Sequence, residues 1–173
     1  MIRRLPWLLL PLGALFLDWA SKAWILSHLA PHASRTIIKG FFHLTLGFNP
    51  GAIFGTLAGA PAGVRAVVFT VAGVGAVLYF GWEFLRESTP TLQRWGLGLV
   101  LGGALGNGLD RFQRGAVVDF LDFEFGGWHY WTFNLADTFI VCGGVLLGLG
   151  ILMASLKRKA EPGAPERTEP DPS

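Results

Sequence analysis

Four apolar stretches constrain this chain more than any other feature. A membrane-crossing helix needs roughly 20 mostly apolar residues. The first stretch covers about residues 5–29 and is broken by Asp18 and Lys22. The second covers 64–85 and the fourth 138–156, and both are clean. The third, 95–110, is short and holds Gly96, Gly98, Gly102, Gly103, Gly106 and Gly108. Only 15% of the residues are charged, against about 25% in soluble domains. The 24 glycines fit lipid-embedded helices, which associate through small-residue contacts. The expected fold is therefore a membrane α-helical, four-transmembrane-helix bundle, with residues 1–156 as one domain. Residues 157–173 read as a basic and then disordered tail, rich in Pro and charge with no apolar face to bury.

Arg3 and Arg4 before the first apolar run resemble the start of a signal peptide. No convincing small-residue cleavage site ends that run, so an uncleaved span is expected. Positive charge orients the bundle. Arg3, Arg4, Arg86, Arg94, Lys157, Arg158 and Lys159 fall on one side of a four-span arrangement, which becomes the cytoplasmic side. Both termini are then cytoplasmic, and the loops near 30–62 and 111–136 face outward. Those loops also hold Arg35, Lys39, Arg111 and Arg114, and Arg65 stands beside them at the start of the second stretch, which weakens the bias without reversing it. The segment Thr36 to Phe48 is β-branched and aromatic around a Gly turn, and predicts short strands on the membrane surface. Val117 to Phe125 alternates apolar and acidic residues and predicts another. The single Cys142 permits no internal disulfide. No basic block interleaved with aromatics points to nucleic acid.

Ionisable residues in or beside spans are costly, which makes them candidates for function. Asp18 and Lys22 are four apart and share a helix face; a self-neutralising pair would explain them. Asn107, Asp110 and Arg111 close the third stretch, where helix termination with Arg111 reaching to lipid phosphates would suffice. Asn134 is a good N-cap for the fourth, and Asp137 resembles the acidic member of a capping box. Asp119, Asp122 and Glu124 alone would be ordinary solvated acids. Topology shifts the balance, because four spans bring all these clusters to one outer surface. The inner loop, Glu87 to Gln93, has nothing comparable.

Residue types exclude several chemistries. There is no H-E-x-x-H for zinc and no G-x-S-x-G elbow for a serine nucleophile. His28, His32, His43 and His129 show no paired helical spacing with acids, so no metal is expected. Carboxylates remain. Two held close together keep one proton between them, and the pair then supplies a general base and a general acid. A small transporter or channel, or a non-catalytic scaffold, are the rival readings. A transporter would carry polar residues along a path to both faces, whereas the inner half of every stretch is nearly bare.

Four blocks carry a resemblance to a known family. Leu17 to Lys22 reads L-D-W-A-S-K, and Asn49 to Gly55 reads N-P-G-A-I-F-G. Gly102 to Phe123 reads G-G-A-L-G-N-G-L-D-R-F-Q-R-G-A-V-V-D-F-L-D-F, and Phe133 to Thr138 reads F-N-L-A-D-T. In this order they resemble the lipoprotein signal peptidase, or signal peptidase II, family. The resemblance implies a four-helix aspartic endopeptidase of the bacterial inner membrane, with its site near the periplasmic face. Its substrates would be prolipoproteins, cut just before a cysteine that already carries diacylglycerol. It implies Asp119 and Asp137 as the catalytic pair, with Asn107, Arg111 and Asn134 lining the substrate site. Asp18, Lys22, Asn49, Gly51 and Asp110 would support it, and a small extracytoplasmic β-sheet near 36–55 would cradle the lipidated substrate. Membrane lipids are the other expected partners, a monomer is the expected state, and no cofactor is implied. Ile53 stands where the family usually has alanine, which bears on the shape of the substrate loop. Since a helix start favours negative charge at Asp137, Asp119 is expected to hold the shared proton more often.

Overall fold

The computed structural model describes residues 5–50 and 61–160. Gly51 and Ile53 lie outside these residues, as does the tail from 161 onward. The element order is α1 (Leu5–His28), β1 (Ser34–Ile38), β2 (Phe42–Asn49), α2 (Ala62–Leu85), α3 (Thr91–Arg114), β3 (Val117–Phe125), β4 (Trp128–His129) and α4 (Leu135–Ala160). The helices thus fall where the apolar stretches are, but α3 and α4 are several residues longer. Helix α3 extends past the predicted 95–110 at both ends, and α4 begins before residue 138 and runs beyond 156. Hydropathy finds only the apolar middle of a helix, whereas the backbone ladder continues until a cap stops it. For α3 that cap is Gly115, whose φ of 71° closes the helix with its N–H on the Arg111 carbonyl.

By length and hydropathy, α1 and α4 are each long and apolar enough to cross a membrane, and α2 has a shorter apolar run over Thr70–Leu85. Their outer faces are apolar and exposed, including Leu9, Phe16, Val71, Leu78, Val141 and Ile151. Helix α3 is the inner one. Gly98, Gly102 and Gly106 repeat every fourth residue and meet Leu10, Ala14 and Asp18 of α1. Gly96 and Gly103, seven apart, meet Gly143 and Ala136 of α4. A Cβ at Gly143 would stand 2.6 Å from the Gly96 carbonyl oxygen.

The four strands form one antiparallel sheet in the order β1-β2-β3-β4. Gly40, at φ 72°, makes the turn between β1 and β2. Strand β4 was not anticipated: at two residues it carries no readable alternation. Ile25 of α1 packs with Leu46, Val118 and Phe120 to seat the sheet on the helix ends. At the opposite end Trp7 meets Trp95 edge-on, Arg94 lies over Trp7, and Phe84 packs with Leu97. The sheet is therefore at one end of the bundle, and the basic residues Arg86, Arg94 and Lys157 to Lys159 belong to the other.

The close backbone approach predicts a contrast between neighbouring glycines. Gly143→Ala should destabilise the protein by about 1–3 kcal/mol, the usual cost of overpacking. Gly144→Ala, which meets nothing within 4 Å, should be neutral. Thermal unfolding in detergent checks this, and equal effects would contradict the packing described.

Candidate active site

Three helices and the sheet converge on a buried ammonium. Lys22 Nζ lies 2.8 Å from Asp18 Oδ2 and 2.8 Å from Asp110 Oδ2, and donates to Asn107 Oδ1 at 3.1 Å. All four residues are buried. Arg114 pairs with the other oxygen of Asp110 at 2.8 Å, so two acids meet two bases. The i,i+4 pair of Asp18 and Lys22 is therefore real, but it is half of a larger cluster.

Each acid also grips a distant backbone. Asp18 Oδ1 accepts the Ala136 N–H at 2.9 Å, an orphan donor in the first turn of α4. Asp110 Oδ2 accepts the Val118 N–H at 3.1 Å, at the start of β3. The residues that follow are Asp137 and Asp119. Gly106 is required here, because any side chain on it would strike Asp18 Oδ2.

Asp119 is held from both sides of its strand. It lies opposite Gly47 of β2, while Phe133 pairs with Leu121 on the other edge. Asn134 ends that edge segment and caps α4. Its Oδ1 accepts the Asp137 N–H at 2.9 Å, and Asp137 Oδ2 accepts the Asn134 N–H at 3.3 Å. This is a reciprocal capping box. The plain capping explanation is therefore correct, yet incomplete. Asn134 is fully buried, and its Nδ2 also donates to Asp119 Oδ1 at 2.7 Å and to Asn107 Oδ1 at 3.1 Å. Asn107 Nδ2 donates to Asp137 Oδ1 at 2.7 Å. Two asparagines thus tie the two carboxylates together.

The carboxylates sit in unequal surroundings. Asp119 is 3% exposed, and burial pushes its carboxyl up to about 6, with the charge of Asp137 as the next cause. Hydrogen bonds from Asn49 at 3.2 Å and from Asn134 oppose this but do not outweigh it. Asp137 is half-buried at the third position of α4, where the helix dipole favours negative charge. A groove of about 390 Å³ opens beside Asp119, lined by Gly47, Phe48, Asn49, Pro50, Asp119, Trp131 and Thr132.

Of the residues singled out from sequence, Asp18, Lys22, Asn49, Asn107, Asp110, Asp119, Asn134 and Asp137 form one connected set. Arg111 stands at its margin on the last turn of α3, half-buried, with its guanidinium 3.5 Å from the Asn107 carbonyl. The helical-spacing test for a metal cage missed a grouping across strands: one ligand atom each from His43, Glu124 and His129 lies within 4.8 Å of the others.

Glycine-packed apolar helices and two linked carboxylates at one end define a helical membrane protein with a paired-acid site. Comparison with known proteins makes the assignment specific. Residues 10–153 match the profile of the family described as signal peptidase (SPase) II, and the chain belongs to that family. It is 44% identical over 142 residues to lipoprotein signal peptidases of Burkholderia vietnamiensis and Burkholderia multivorans, covering 82% of this chain and 84% of each relative. A bacterial membrane enzyme solved by the in meso method at 1.9 Å superposes with a TM-score of 0.74 at 25% identity, over 85% of this chain and 92% of that one. A second, at 2.3 Å, gives 0.74 at 26% identity over 94% of both. The protein is a bacterial membrane protein.

The cluster predicts the effect of removing its centre. Lys22→Met leaves Asp18 and Asp110 buried without their shared cation, and should destabilise the protein by about 3–5 kcal/mol. Thermal unfolding measures it; a loss below about 1 kcal/mol would contradict a buried-ion role.

Proposed function

We infer that this protein is an aspartic endopeptidase that removes the signal peptide from diacylglyceryl-modified bacterial prolipoproteins, cutting just before the lipidated cysteine. The observation that carries the reading is the joining of Asp119 and Asp137 through Asn134 and Asn107, in a chain similar over most of its length to lipoprotein signal peptidases.

The chemistry follows from the inequality of the pair. Asp137, at the positive end of α4, is the general base. It takes a proton from a water whose oxygen attacks the scissile carbonyl carbon. Asp119, whose carboxyl burial pushes up to about 6, acts in its protonated form as the general acid and gives its proton to the leaving amine nitrogen as the C–N bond breaks. Each cycle consumes one water and leaves a proton on Asp137, which returns to Asp119 before the next cycle. Asn134 holds both groups in register, while Asn107 and Arg111 reach the substrate near the cut. The groove beside Asp119, which Asn49 helps to line, would receive the extended peptide. Two carboxylates and water need no metal or organic cofactor.

The helices are read as four spans of the inner membrane. The paired acids and the sheet lie at the periplasmic face, and the basic end with both termini is cytoplasmic. The exposed apolar helix faces meet membrane lipid and the diacylglyceryl chains of the substrate. A monomer suffices, because every group named belongs to one chain.

Purified protein in lipid, given a diacylglyceryl-modified prolipoprotein, tests the reading by gel shift. Wild type should cut. Asp119→Asn and Asp137→Asn should each lose at least ~10³-fold in rate while remaining folded, because either change removes a proton-transfer group. Wild-type kcat/KM should fall as pH rises past about 6, where Asp119 gives up its proton. Near-full rate in either variant, or a folded wild type that does not cut, would overturn the assignment.

A further inference from the structure

The sheet has one face that the peptidase reading leaves unused. Ser34 and Thr36 of β1, His43 and Thr45 of β2, Asp122 and Glu124 of β3 and His129 of β4 are joined on it by cross-strand bonds. The register accounts for the grouping: Thr36 pairs with His43, His43 with Asp122, and Glu124 with His129.

The geometry points to a binding site for a divalent transition-metal cation of the zinc class on this face, with His43, Glu124 and His129 as its ligands. One ligand atom from each lies within 4.8 Å of the other two. Ligands at the usual ~2.1 Å from a tetrahedral zinc stand about 3.4 Å apart, so side-chain shifts of up to about 1.4 Å close the cage. Two imidazoles and a carboxylate form a donor set that suits zinc, copper or nickel rather than calcium or magnesium. Three protein ligands leave a fourth position to water.

The surroundings of the histidines strengthen the assignment. His43 Nδ1 lies 3.1 Å from Thr36 Oγ1, and its Nε2 2.8 Å from Glu124 Oε2. His129 Nδ1 lies 2.8 Å from Asp122 Oδ1, and Asp122 accepts from Thr45 Oγ1 at 2.7 Å. Metal-bound histidines commonly bond through their other ring nitrogen to a carboxylate or similar group, which fixes tautomer and ring orientation. Here Thr36 and Asp122 occupy those places. The rings lie 5.3 Å apart between centroids. His129 is about half exposed, so a cation has access, whereas His43 is nearly buried and preset. Asn49, Asp119 and Asp137 are not among the ligands, so the site is separate from the paired acids.

The test uses full-length protein in detergent, freed of purification tag and stripped by chelator. Zn²⁺ is titrated by calorimetry, and Co²⁺ by its visible ligand-field absorption. Wild type should take up one equivalent of Zn²⁺ and give a Co²⁺ spectrum of low coordination number. His129→Ala, at an exposed position that tolerates truncation, and Glu124→Gln should each weaken Zn²⁺ at least about tenfold. Asp119→Asn should bind Zn²⁺ as wild type does. No saturable one-to-one binding would mean that these are ion-paired histidines only, and would overturn the proposal. Binding lost in Asp119→Asn but kept in the two cage variants would also overturn it, by placing the cation at the paired acids.

Discussion

The ammonium of Lys22 is the point on which the rest of the structure depends. Burying such a charge costs several kcal/mol unless close partners compensate, and here α1 and α3 must supply them. Asp18 and Asp110 satisfy Lys22 with one oxygen each, Asp110 also pairs with Arg114, and each acid accepts a backbone N–H from another element. One grips Ala136, the residue before Asp137, and the other grips Val118, the residue before Asp119. A single buried cation therefore fixes the relative position of two carboxylates that come from a helix start and a strand. The glycines of α3 make this possible by letting α1 and α4 close on its backbone.

The same architecture makes the two acids unequal. Asp119 lies within a sheet, with neighbours on both edges and almost no exposure, so its charged form is disfavoured. Asp137 lies on the first turn of α4 and accepts from Asn107 and Asn134, and a helix start favours charge. Asn134 serves two ends at once: it terminates α4 in the ordinary way and also bonds Asp119. A capping residue and a site residue are here the same side chain, which is why the two explanations of the N-L-A-D block were never alternatives.

Much of this was legible in the chain. The four apolar runs marked the helices, the β-branched and aromatic pattern marked β1 and β2, and the alternation of apolar and acidic residues marked β3. Asp18 and Lys22 declared their pairing by spacing of four. Three features were not legible. The ends of α3 hold Thr91 to Arg94 and Arg111 to Arg114, too polar for a hydropathy window although the backbone ladder runs through them. The grip of Asp18 on Ala136 joins residues 118 positions apart, and no local pattern encodes it. The grouping of His43, Glu124 and His129 depends on strand register, which sets His43 opposite Asp122 and Glu124 opposite His129. Helical spacing was the wrong ruler for it.

The central claim is that burial places the shared proton on Asp119 and leaves Asp137 as the base. Neutron diffraction from deuterium-exchanged crystals, grown at a pH just below about 6, reads the position of that proton directly. The account predicts deuterium density on the Asp119 carboxyl and none on Asp137. Density on Asp137 with a bare Asp119 would contradict it, and would reverse the roles assigned to the two acids.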